Sequence, residues 1–125
     1  MAVDAIETPW SVTYHDGSGN GFRFWQETEG GAARFDYLPI TPEISSSGSY
    51  SGGEPKKGIL NAEHVEELWR WVRRLEAETS LHINARVKGS GAFYLTTSTG
   101  EKDFIITNSS LLRQFNAFLL PLRGE

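Results

Sequence analysis

The residues of this chain best suited to chemistry are three histidines, a set of carboxylates and one serine-rich tract, SSSGSYSGGEPKKG, at 45–58. A metal site needs ligands that converge, such as a pair at i, i+4 on a helix or i, i+2 on a strand. His15, His64 and His82 fall on three separate stretches, so they read as surface histidines rather than metal ligands. His15 precedes Asp16, but neighbouring strand residues point to opposite faces. His15, Asp16, Asp36 and the loop serines are the groups available to a small enzyme with a non-standard site, if they converge.

The serine-rich tract fails two catalytic templates. A nucleophile elbow needs G-x-S-x-G, and Gly48 to Gly52 has the glycines with Tyr50 where the serine must stand. A P-loop needs G-x-x-x-x-G-K-[ST]. Gly53 and Gly58 have that spacing, but Ile59 and Leu60 follow, and Glu63, Glu66 and Glu67 crowd the place where an anion would sit. What the tract does offer is recognition chemistry. Ser49, Tyr50 and Ser51 set one rigid aromatic among small hydrogen-bonding residues. Gly52 and Gly53 offer a backbone nest for an anion, with Lys56 and Lys57 beside it. The plain alternative is a solvated connection, although unstructured loops this long are uncommon in compact domains.

The totals bound the class. With 125 residues the chain fits one domain, and four Trp, seven Phe and four Tyr can fill a dense core. A net charge of −4 argues against broad nucleic-acid binding, which needs many cations to displace counterions from phosphates. No apolar run reaches the length of a membrane span. The first residues have neither a basic n-region nor an apolar h-region, so no secretory signal is expected. The chain has no cysteine, which removes disulfides and thiolate chemistry. A cytoplasmic location is the expectation.

Period-two alternation marks strands. Residues 1–8 read as a loose end. Over 9–40, Trp10, Val12 and Tyr14 alternate with polar residues. Phe22 and Phe24, then Phe35 and Tyr37, continue a three-stranded meander broken by glycine turns. The loop takes 41–60, and a helix follows over 61–79. Asn61 caps that helix, and Val65, Leu68, Trp69, Val72 and Leu75 form one apolar stripe. A second meander is expected over 81–107. Its first strand alternates Leu81, Ile83, Ala85 and Val87 against His82, Asn84, Arg86 and Lys88. A last helix covers 109–120. The two halves share GSG, an aromatic strand and Ile-Thr in the same order, which suggests a duplicated βββα unit.

The expected fold is therefore α+β in a single domain: two antiparallel three-stranded β-meanders, each followed by a helix, with the helices packed on the sheet. The expected function is a non-catalytic binding module for a protein or peptide partner. The 45–58 loop is its contact surface, and His64 with Trp71 on the helix flank is a second one. Trp71 lies off the centre of the apolar stripe, so it either packs on a neighbour or stands half-exposed at an interface. A small enzyme, or a structural or dimeric subunit, is the alternative. No cofactor, nucleic acid or membrane is implied.

Overall fold

The computed structural model describes residues 7–40, 48 and 52–123. They form one antiparallel sheet of seven strands in the order β4-β3-β2-β1-β6-β7-β5, with two helices. Strands β1 (Trp10–His15), β2 (Gly21–Gln26) and β3 (Ala33–Leu38) are the meander that the alternation predicts.

Strand β4 (Lys56–Leu60) extends that meander at one edge, where the sequence reads only as loop. Its composition hides it, because lysine and glycine are poor strand formers. Register explains the glycine: Gly58 lies opposite Phe35, and a Cβ there would sit 3.0 Å from the Phe35 ring.

Helix α1 (Ala62–Ala77) begins where its cap demands, with the Asn61 side chain accepting the His64 N–H at 2.8 Å. Its stripe buries Leu68, Trp69, Val72 and Leu75. Helix α2 (Ser110–Leu119) is capped by Ser109 and buries Leu112, Phe115 and Leu119. Both helices lie on the same face of the sheet. Trp69 of α1 meets Trp10 at 5.5 Å, ring edge to ring face, and Phe115 of α2 meets Tyr14 at 5.0 Å. Trp10 and Tyr14 share one face of β1 by the period of the strand.

The second half departs from expectation. Strands β6 (Gly91–Thr97) and β7 (Gly100–Ile106) form a hairpin, but β5 (His82–Ile83) has only two residues and pairs with β7, not β6. Strand β6 already has β1 on its other side, so it has no free edge for the strand read over 81–87. Beyond Ile83 the chain turns. The Arg86 guanidinium donates to the carbonyls of Ser90 and Asp16, at 2.8 and 2.7 Å, and Val87 is 54% exposed. The faces of β5 are also inverted. His82 lies opposite the buried Ile106, stacks on Phe104 at 5.0 Å and donates from Nε2 to the Leu75 carbonyl at 3.0 Å. It is a half-buried structural histidine, not a surface one. Because the order in this half is β6-β7-β5, it is not a copy of the β1-β2-β3 meander. The duplication reading therefore fails.

Tyr14 sits at the centre of the core. Its ring lies 4.6 Å from Phe93 and 6.1 Å from Phe22, and its hydroxyl donates to Asn116 of α2. Burial, with the Asp16 charge second, pushes its phenol well above the ordinary value.

Two expectations follow. Leu68→Ala should cost about 2–5 kcal/mol in urea unfolding, since the side chain is fully buried; a change near zero would show that this face of α1 is not core. Above about pH 10 the unfolded chain releases the Tyr14 proton and the folded chain keeps it, so stability should fall as pH rises through that point. An alkaline titration followed by tyrosinate absorbance checks this. Before unfolding sets in, Tyr14→Phe should show the same absorbance rise as the parent; a smaller rise would mean that Tyr14 ionises in the native state.

Candidate functional site

A hollow of about 760 Å³ opens between the first half of α1 and the sheet. Its position follows from the strand ends. Trp10 opens β1, Ala33 opens β3 and Leu60 closes β4, so all three core-facing side chains lie at one end of the sheet. The N-terminal half of α1 rises from Leu60 and places Val65, Glu66 and Trp69 over that end.

The floor is aromatic and the rim acidic. Trp10 and Trp69 line the hollow with planes at 81° to each other, and Glu7, Glu29 and Glu66 stand around it. None of the described lining residues is Lys, Arg or His. The glutamates come from different elements: Glu7 precedes β1, Glu29 lies in the β2–β3 turn, and Glu66 is on α1. The Glu7 carboxylate accepts from Ser98 Oγ at 2.6 Å, and Glu66 pairs with Arg70 at 3.6 Å on the exposed helix surface.

The two indoles differ in one respect. Trp10 Nε1–H donates to Gln26 Oε1 at 3.1 Å, and the Gln26 amide donates to the Gly31 carbonyl at 2.9 Å, which ties the β2–β3 turn to the cleft. Trp69 Nε1–H is buried and meets no acceptor among the described residues. A buried donor without an acceptor is costly. The hollow is thus acidic at its margin, with carboxylates from three elements, over two indoles that are only 2% and 4% exposed.

The residues singled out in the sequence are scattered. Ser49, Tyr50 and Ser51 lie outside the described residues. Gly52 is buried, its N–H donates to the Ile40 carbonyl at 2.8 Å and its own carbonyl accepts from the Tyr37 hydroxyl. Its N–H is thus already used and not offered to an anion. A Cβ at Gly52 would also lie 2.0 Å from Asn20 Oδ1, so close packing accounts for this glycine. Gly53 has φ +100°, the left-handed backbone that glycine adopts without strain. Lys56 and Lys57 begin edge strand β4, where Lys57 faces Asp36 across the ladder. His64 is exposed in the first turn of α1. Trp71 packs between the helices, 6.1 Å from Phe115 and 6.5 Å from Phe118.

The acid–base candidates are also accounted for locally. Asp16 turns back on its own loop, with Oδ1 accepting from the Ser18 and Asn20 amides, both at 2.9 Å. His15 lies against Tyr94, with ring centroids 6.1 Å apart. Asp36 stands between Arg23 and Lys57 in the sheet register.

Sequence reasoning missed the cleft although it read its parts. Trp69 appears in the helical stripe, which the structure buries, and Glu66 only among the carboxylates that crowd the start of that helix. Their meeting with Glu29 depends on where the β2–β3 turn stops, which no local pattern reports. No protein-family model matches this chain, nor does any curated protein or solved structure.

Proposed function

We propose that this chain is a non-catalytic binding module for a protein or peptide, and that it seats a basic side chain of that partner in the cleft between α1 and the sheet. The observation that carries this reading is the lining of the cleft, with two tryptophans below, three glutamates around and no cation among the described lining residues. A lysine or arginine entering it exchanges water for carboxylates above a floor of two nearly buried indoles. Binding is favoured over catalysis because Asp16 and His15 are each engaged in their own surroundings and do not form an acid–base pair.

The test uses a blocked lysine, N-acetyl-lysine methylamide, and its uncharged norleucine counterpart, followed by the indole N–H resonances. The lysine probe should shift Trp10 and Trp69 and the norleucine probe should not. Glu29→Gln and Glu66→Gln should each weaken the lysine probe roughly 2–5-fold, as expected for exposed carboxylates. Equal response to both probes, or affinity unmoved by both glutamine variants, would overturn the proposal.

A further inference from the structure

Neither helix packs on the second face of the sheet, and the register shows what that face displays. On the side of β2, β3 and β4 it carries Arg23, Arg34 and Lys57 against one carboxylate, Asp36, a net of +2. On the side of β6 and β7 it carries Glu101 and Asp103, a net of −2, because Lys102 between them points to the helix side. Between the halves runs β1, which contributes Ser11, Thr13 and His15, with no Asp, Glu, Lys or Arg. Arg23, Arg34, Lys57, Glu101 and Asp103 are all exposed. The face is therefore an electrical dipole whose dividing line is the central strand.

Aromatic residues stand on either side of that line. Trp25 is on β2 and Tyr94 is on β6, each one strand from β1. The Arg23 guanidinium covers the Trp25 ring at 4.8 Å, and Tyr94 is 49% exposed. Tryptophan, tyrosine and arginine are the residues most enriched where interfaces carry their energy.

We propose that this face is the interface of a homodimer, occupied by a second copy of this chain, with the two-fold axis running along β1. The charge pattern selects both the occupant and the axis. A two-fold rotation about an axis parallel to β1 lays each positive half over the partner's negative half and sets Trp25 near the partner's Tyr94. An axis across the strands would stack like charges and is unfavourable. A dipolar face is complementary to itself, as an isologous interface requires, and two such sheets pack with strands within about 30° of each other. Seven strands at about 4.8 Å spacing and six residues at about 3.3 Å give a face of roughly 600 Å² per copy. That is the lower end for a stable complex, so the dimer is weak and electrostatic in character. The cleft lies on the opposite side of the sheet, so either proposal can fail without the other.

Sedimentation velocity of the full chain over a concentration series, at about 0.05 M and about 0.5 M salt, reads the association. The parent should dimerise at low salt, with a dissociation constant at least about tenfold higher at high salt. Glu101→Lys with Asp103→Lys should abolish self-association, and so should Arg23→Glu with Arg34→Glu. An equimolar mixture of those two variants should restore a dimer, because one then carries a cationic face and the other an anionic one. If either double reversal unfolds, Glu101→Gln with Asp103→Asn should still weaken self-association about threefold or more. A parent that is monomeric throughout overturns the proposal and leaves the face to an unlike partner. Association that survives the reversals overturns it as well, and assigns the dimer to another surface.

Discussion

The buried phenol of Tyr14 is the point on which the packing of this protein turns. A tyrosine at the centre of a core brings a large apolar ring and a hydroxyl that must find a partner. Here the ring joins β1 to Phe22 on one side and Phe93 on the other, while the hydroxyl reaches Asn116 on α2. One side chain thus fixes the positions of three strands and a helix. Close packing around it also explains Gly91, where a Cβ would lie 2.7 Å from the Tyr14 ring.

With both helices drawn to one face, the sheet becomes two-sided in structure. The covered face ends in a cleft because α1 climbs away from Leu60 at the margin of the sheet. The other face shows charge ordered by strand. The outer strands are protected from pairing with other chains by different means: β4 begins with two lysines and β5 is only two residues long. Short or lysine-bearing edges are the usual guards against adventitious strand addition.

Much of the fold is legible in the residues, and what is not legible has physical causes. The first three strands announce themselves because alternation is interrupted by turns of the right composition. The helices do so through stripe and cap together. The alternation from Leu81 to Val87 is equally regular and misleads, since a strand exists only where a neighbouring edge is free, and β6 has none. Strand β4 has the reverse character, a poor pattern rescued by an available edge beside β3. The glycines of the serine tract are read as a binding nest, whereas Gly52 is there because Asn20 leaves no room for a side chain. Trp71 and Trp69 sit two residues apart and take different roles, helix packing and cleft floor, because the turn of the helix points them at different neighbours.

The place of β1 in the middle of the sheet has a consequence for how the chain is made. Its partner on one side, β2, follows at once, but on the other side Val12 pairs with Leu95. During synthesis most of the chain must leave the ribosome before β6 exists. At about 5–20 residues per second the delay is on the order of ten seconds. Throughout that interval β1 presents an open hydrogen-bonding edge, and Trp10, Val12 and Tyr14 lack half of their eventual cover. A nascent β1–β4 meander would thus carry one unpaired strand edge beside β1 until β6 is made. Its rescue arrives with the last hairpin and the last helix.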